Sequence, residues 1–119
     1  MQYTLELNSH ERGSNVVFNT ILLNSFKVNI VERYSENRVG KLQLREVLFK
    51  VRTPDDQIFQ KKDGTVNTYI RGDDFSKYQK LTKIFSSLRY RNKLINIKEA
   101  EQDFVHFILT FVIVNYEFA

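Results

Sequence analysis

Two stretches in the middle of this chain, 41–53 and 65–72, alternate apolar and polar residues. This alternation is the period of a β-strand with one buried face. In KLQLREVLFKVRT (41–53) Leu42 and Leu44 are even-numbered, whereas Val47, Phe49 and Val51 are odd-numbered. The phase shifts by one residue around Arg45 and Glu46, and this predicts a β-bulge, because a bulge adds one residue to a strand and bends it. Bent strands can close a small barrel, so this slip restricts the fold strongly.

The same alternation, together with β-branched and aromatic residues, predicts strands along most of the chain. These segments are residues 2–8, 16–34, 41–53, 65–72, 93–99 and 104–118. Polar stretches with turn-forming residues separate several of them, such as SENRVG (35–40) and TPDDQIFQKKDG (53–64). The last segment is apolar on both faces, which predicts a strand that is covered on both sides.

A change of period after residue 72 predicts one helix. Asp73 and Asp74 suit its start, because aspartate caps helix N-termini and its charge interacts favourably with the helix dipole. Apolar residues then recur three or four positions apart, as they do on one face of a helix. These residues are Tyr78, Leu81, Phe85 and Leu88. The helix is predicted to end at Asn92.

With the first strand set aside, the predicted order is three strands, one helix and two strands. That is the order of a mainly β oligonucleotide-binding (OB) fold, a five-stranded Greek-key barrel with one α-helix between strands three and four. A chain of 119 residues is long enough for one hydrophobic core, so we expect a single OB-like domain with an additional N-terminal strand. The alternative is an α+β layer in which the same helix lies across an antiparallel sheet.

The alternation also assigns the outward side chains of the two middle strands. They are Lys41, Gln43, Lys50, Arg52, Asn67, Tyr69 and Arg71. Lysine and arginine neutralise phosphates, while an aromatic ring or a guanidinium plane stacks on any base, so this set is typical of a groove for single-stranded nucleic acid. The connection between the strands adds Phe59, Lys61 and Lys62. The alternative is that polar residues alternate here because the strands face solvent.

A second basic region covers residues 75–98, which hold seven lysines and arginines and no acid. Lys77, Lys80 and Lys83 fall on the outer face of the predicted helix. They can extend a positive field toward phosphates, although an ordinary solvated helix also carries lysines at this spacing. Further candidates for nucleic-acid binding lie at its end: Arg89, Tyr90 and Arg91.

Little in the chain indicates an enzyme or a metal site. The absence of cysteine excludes disulfides, zinc–thiolate sites and thiol nucleophiles. His10 and His106 have no Ser, Cys or acid partner at a motif spacing. The adjacent acids at 55–56 and 73–74 are explained by turn and helix-capping chemistry. We therefore expect a non-enzymatic protein without a metal or cofactor.

The ends of the chain bear on location and assembly. No basic start followed by an apolar run precedes residue 14, so no signal peptide is predicted. The longest apolar run, 104–114, has about half of the ~20 residues that a membrane-spanning helix needs. We expect a cytoplasmic protein, in the host cytoplasm if it is viral, with no membrane partner. The two-faced last strand predicts a homo-oligomer, a dimer or tetramer, because an exposed apolar patch of that size favours association.

The element order over residues 20–118, the hairpin KVRTPDDQIFQKKDGTVNTYIRG (50–72) and the helix FSKYQKLTKIFSSL (75–88) resemble the small OB-fold single-stranded DNA-binding proteins of bacteriophages, in particular those of lactococcal phages. The resemblance implies sequence-independent binding of single-stranded DNA in replication, recombination or repair. RNA remains an alternative ligand. The alternative function is a protein-interaction module, such as a viral or plasmid regulator of a host protein, anchored by Ile58 and Phe59.

Overall fold

The structure, a computed structural model, describes residues 3–10, 15–23, 26–90 and 94–111, and of residues 6–10, 85–90 and 94–97 the backbone alone. In these ranges five β-strands precede two α-helices. The strands are β1 (Tyr3–His10), β2 (Val16–Leu23), β3 (Lys27–Glu36), β4 (Leu42–Arg52) and β5 (Asn67–Tyr69), and the helices are α1 (Gly72–Tyr90) and α2 (Leu94–Phe111).

The strands form one antiparallel sheet in which each strand pairs with its neighbour in the chain, in the order β1-β2-β3-β4-β5. Short connections produce this order, because antiparallel strands can be joined by a tight hairpin. The β3–β4 turn is closed by Asn37, whose N–H donates to the carbonyl of Lys41 at 2.8 Å. Gly40 of this turn has a φ of 78°, a left-handed conformation that favours glycine.

The predicted bulge is present in β4. The strand pairs with β3 in unbroken register down to Arg33 opposite Glu46, and the next pair joins Tyr34 to Leu44. Arg45 is therefore the additional residue, which agrees with the phase slip in the sequence. Because the bulge absorbs one residue, Leu44 lies on the same face of the sheet as Val47, Phe49 and Val51.

The prediction of one long strand over residues 16–34 is wrong, because this segment forms β2 and most of β3. The two strands are antiparallel, and the N–H of Leu23 donates to the carbonyl of Phe26 at 2.8 Å. Asn24 and Ser25 between them are turn-forming residue types, and the prediction gave more weight to the β-branched residues on either side. These two residues themselves lie outside the described part of the chain.

The last two predicted strands are also wrong wherever the structure describes them, because residues 94–111 form the single helix α2. Residues 112–118 of the second lie outside the described part of the chain. Apolar content favoured strands, but the middle of the segment, KEAEQD, consists mostly of strong helix formers. Ala100, Phe104 and Ile108 are buried at intervals of four, which is the spacing of one helix face.

The predicted first helix is confirmed as α1, which begins at Gly72 with Asp73 and Asp74 in its first turn. Tyr78 of the predicted apolar stripe is completely buried. Its ring lies 5.6 Å from that of Phe104 and 6.2 Å from that of Phe107, measured between centroids, so it joins α1 to α2.

The five-stranded Greek-key barrel with one helix is not confirmed. The described chain is β-rich, with an open five-stranded antiparallel sheet followed by two helices, and no pairing between β1 and β5 is found among its residues. The predicted barrel needs the strands at 93–99 and 104–118 to close the sheet, and the described residues of those segments are helical. Strands followed by helices is the order of an α+β protein.

The described residues divide into two compact units, one that holds the sheet and ends at Ile70 and one that begins at Arg71 and holds both helices. The single domain over residues 1–119 stays a prediction, since two compact units can belong to one cooperative domain. Neither α1 nor α2 has the combination of length and apolar character that a membrane span requires.

One face of the sheet carries most of its buried apolar side chains, and we call it the core face. Its residues are related by the strand register, because directly opposed residues of an antiparallel pair share a face. Six of them have no exposed surface: Ile21, Val28, Ile30, Val47, Phe49 and Val51. This face therefore provides the hydrophobic core of the sheet unit.

An acidic group also lies on the core face, where Glu32 is 5% exposed. The hydroxyl of Tyr34 donates to Glu32 Oε1 at 3.2 Å. Burial, and after it the charge of Glu32, raise the pKa of the Tyr34 phenol far above its ordinary range. The phenol therefore stays neutral and remains a donor for the carboxylate.

Replacing Tyr34 with phenylalanine should lower the free energy of unfolding by about 1 to 2 kcal/mol at pH 7, because a buried carboxylate loses a donor. The native protein should lose stability as the pH rises above about 10, since the unfolded phenol ionises there and the folded phenol does not. The Tyr34→Phe variant should lose less stability over the same rise in pH. Urea denaturation at pH 7 and pH 10.5 measures both effects, with Tyr69→Phe as the control. Equal losses of stability in Tyr34→Phe and Tyr69→Phe would contradict the role of Tyr34 as a donor to Glu32.

Candidate nucleic-acid interface

The opposite face of the sheet is partly exposed and carries polar, cationic and aromatic side chains. We call it the open face. The register places on it Phe18, Thr20 and Leu22 of β2, Lys27, Asn29 and Val31 of β3, Leu48, Lys50 and Arg52 of β4, and Asn67 and Tyr69 of β5. Four of these residues were predicted to share an outward face, namely Lys50, Arg52, Asn67 and Tyr69, and the structure brings them together.

A polar row crosses four strands of the open face through Thr20, Asn29, Lys50 and Asn67, each opposite the next. The Asn29 amide is held at both ends: Nδ2 donates to Thr20 Oγ1 at 3.3 Å, and Oδ1 accepts from Arg52 Nε at 2.7 Å. The Lys50 side chain makes no hydrogen bond or ion pair with any residue that the structure describes. Its ammonium group is therefore available to an external anion.

An apolar row runs beside it through Phe18, Val31, Leu48 and Tyr69, again each opposite the next. Leu48 is buried, whereas the aromatic residues at the two ends are 37% exposed for Phe18 and 43% exposed for Tyr69. Three inter-strand spacings separate these two residues, or about 14 Å. We call this the aromatic row, because it offers an aromatic side chain at each end of an apolar floor.

Cations lie opposite each other at one end of the open face, where Lys27 of β3 pairs with Arg52 of β4. Lys27 forms an ion pair with the carboxylate of Asp56, a residue of the connection after β4. Arg52 Nη1 donates to the carbonyl oxygen of Asp56 at 3.3 Å. The hydrogen bond and the charge of Lys27 lower the pKa of the Asp56 carboxyl, so it is ionised at neutral pH.

Asn67 provides a further polar group on the open face. Its Oδ1 is the one buried side-chain N or O atom without a hydrogen-bond partner in the described part of the chain. Buried acceptors are nearly always paired in folded proteins, so such an atom needs an explanation. It belongs to the polar row and lies opposite Lys50.

The chain matches no protein-family model, no curated protein and no solved structure. The resemblance to phage single-stranded DNA-binding proteins therefore stays a prediction, and the case for a function stands on the geometry of the open face. In the described residues no three His, Cys, Asp or Glu side chains are grouped so that they could hold a metal ion.

The connection between β4 and β5 contains two tight turns, as its Pro-Asp-Asp and Asp-Gly sequences predict. The first is closed by the N–H of Thr53, which donates to the carbonyl of Gln57 at 2.8 Å. Phe59, predicted as a stacking residue, is half-buried, and the neighbouring Ile58 is 47% exposed. The exposed apolar group of this connection is therefore Ile58. The two predicted lysines differ: Lys61 is half-buried and Lys62 is exposed.

The other predicted site residues are not among those that the strand register places on the open face. Lys41 is exposed in the β3–β4 turn, nine residues from Lys50 along β4 and thus roughly 30 Å away. Arg71 is exposed and belongs to the helix unit. Arg89 and Tyr90 lie in the last turn of α1 with only their backbone described, and Arg91 lies outside the described residues.

Phe18, Lys27 and Asn29 of the open face were not among the site residues predicted from the sequence. The reason is the single strand assumed over residues 16–34, since its two halves have opposite phases. Had Asn24-Ser25 been taken as a turn, the register of a hairpin would have placed Phe18 and Asn29 on the face opposite to Ile21 and Ile30.

Proposed function

We propose that the open face binds single-stranded nucleic acid, foremost DNA, without reading its sequence. The observation that carries the proposal is an unpaired Lys50 in a row of amides, beside the aromatic row that ends in exposed Phe18 and Tyr69. Cations neutralise the phosphates while aromatic rings stack on unpaired bases of any kind, and these are the two requirements of sequence-independent single-strand binding. Such a protein acts where single strands are exposed, in DNA replication, recombination or repair.

The proposal does not require the OB barrel. A barrel and an open antiparallel sheet both present alternate side chains on one face, and RNA-recognition sheets also stack bases on aromatic residues of their strands. Duplex DNA should bind weakly, because its bases are already stacked on each other and cannot reach Phe18 or Tyr69. Hydrogen bonds to particular base edges are not part of the proposal.

Replacing Lys50 with alanine should weaken binding of a fluorescent oligothymidylate and flatten its salt dependence. One lost phosphate contact should reduce the slope of log affinity against log salt by about 0.7. Fluorescence anisotropy at several salt concentrations measures both quantities. Lys98→Ala provides the matched control, since it removes the same charge from an exposed position on α2.

A wild-type affinity that is undetectable or independent of salt would contradict the proposed function. Equal effects of Lys50→Ala and Lys98→Ala would show that net charge acts rather than the open face. Parallel titrations with duplex DNA and with oligouridylate test the preference for single strands and for DNA over RNA.

The exposed Ile58 favours a second function, a protein-interaction module. It predicts a protein partner that stays bound at high salt and after nuclease treatment, and that is lost on Ile58→Asp.

The oligomer prediction has lost its basis in the described residues, because Phe104, Val105, Phe107 and Ile108 are buried. Sedimentation of the purified protein tests it.

A further inference from the structure

Two cationic residues are direct neighbours on adjacent strands of the open face. Lys27 and Arg52 are directly opposed on the open face, and β-carbons in such pairs are about 5 Å apart. Like charges at this spacing repel each other and destabilise the sheet. The pair therefore forms a place where an anion is stabilising, whatever molecule provides it.

In this structure the anion is Asp56 of the same chain. Its carboxylate pairs with Lys27 and its carbonyl oxygen accepts a hydrogen bond from Arg52 Nη1. The Lys27 side chain is 19% exposed, while that of Asp56 is 68% exposed. The acid is therefore the more exposed partner of this ion pair, and a ligand in solvent can reach it.

The loop that presents Asp56 is a local turn. The N–H of Asp56 donates to the carbonyl of Thr53 at 3.0 Å, and the N–H of Gln57 donates to Thr53 Oγ1 at 3.0 Å. Asp56 has a φ of 71°, a left-handed conformation that aspartate and asparagine tolerate better than most residues. Because these contacts lie within five residues, the carboxylate can leave Lys27 without disturbing the sheet.

We propose that Lys27 and Arg52 form a phosphate subsite of the open face, which Asp56 occupies in the free protein and vacates when a backbone phosphate of single-stranded nucleic acid binds. This inference rests on the proposed function. A phosphate oxygen has the charge and acceptor geometry of the carboxylate it replaces, and the arginine guanidinium suits phosphate well. Lys50 is two residues from Arg52 on the same strand face, about 7 Å away, so one nucleic-acid backbone can contact both.

Replacing Asp56 with asparagine tests the subsite, because asparagine preserves the shape and tolerates the left-handed conformation. Its neighbour provides the matched control: Asp55→Asn removes the same charge from the same loop, and no ion pair joins Asp55 to Lys27. Binding of the fluorescent oligothymidylate should be about two- to fivefold tighter for Asp56→Asn than for Asp55→Asn. The gain should disappear when Lys27 is replaced with alanine. Circular dichroism and thermal melts confirm that each variant is folded.

Equal gains in Asp56→Asn and Asp55→Asn, or a gain that survives Lys27→Ala, would overturn the subsite while leaving single-strand binding intact. Failure of the wild-type protein and all variants to bind the oligonucleotide would overturn the subsite and the proposed function together. Binding by Asp56→Asn alone would support the subsite and show that Asp56 strongly inhibits the free protein.

Discussion

Replacing Phe49 with alanine is expected to lower the free energy of unfolding by about 3 to 5 kcal/mol. Phe49 has no exposed surface and lies between Ile30 of β3 and Thr68 of β5 on the core face. The truncation removes a large apolar side chain and leaves a cavity that neighbouring strands can fill only in part. Because small domains are stable by only about 5 to 15 kcal/mol, much of the protein should be unfolded under mild conditions. Urea denaturation followed by circular dichroism measures the loss.

The adjacent residue provides the control for Phe49. Lys50 lies on the other face of the same strand, and Lys50→Ala should change the free energy of unfolding by no more than about 0.5 kcal/mol. The two variants thus separate stability from binding at neighbouring positions. A Phe49→Ala protein as stable as Lys50→Ala would mean that the strand faces have been assigned the wrong way round.

Removing both ends of the aromatic row should have the largest effect on binding. Stacking contributes about 1 to 3 kcal/mol per base, so replacing Phe18 and Tyr69 together with alanine should weaken oligothymidylate binding by about 2 to 6 kcal/mol. The two side chains are about 14 Å apart across the sheet, and substitutions at that separation are usually additive. Anisotropy titrations of both single variants and the double variant measure each contribution and their sum.

Leu42→Ala is the matched control for the aromatic row. Leu42 is a 52% exposed apolar residue on β4 beyond the bulge, away from Phe18 and Tyr69. Its truncation should leave affinity unchanged. If the double variant binds as tightly as Leu42→Ala, stacking on this face plays no part, and cations alone must account for any binding. Thermal melts of every variant exclude unfolding as the cause.

Several structural elements could be predicted from short segments because local rules determine them. The bulge at Arg45 follows from a phase slip in one strand, and α1 follows from Asp73 and Asp74 before a stripe of apolar residues. The shared outward face of Lys50 and Arg52 follows from their spacing of two along a strand. In each case the decisive interactions lie within a few residues of each other.

The helix α2 could not be predicted in the same way. Its β-branched and aromatic residues suit a strand, and its central KEAEQD suits a helix, so local preferences conflict. Burial of Phe104 and Phe107 against Tyr78 accompanies the helical outcome. Those contacts join segments about 25 residues apart in the chain. A short window of the sequence, of the length used to detect periodicity, therefore never contains both partners of a contact.

The candidate site was also predictable in part from the sequence and in part only from the tertiary structure. The amino-acid sequence by itself determined which residues of a strand share a face, since alternation is a property of the backbone. Only the tertiary structure decided which strands are neighbours, and thereby placed Phe18 in one row with Tyr69, and Lys27 against Arg52 and Asp56. Cross-strand neighbours depend on register and on where a hairpin turns, and a one-residue change in either moves every side chain to the opposite face.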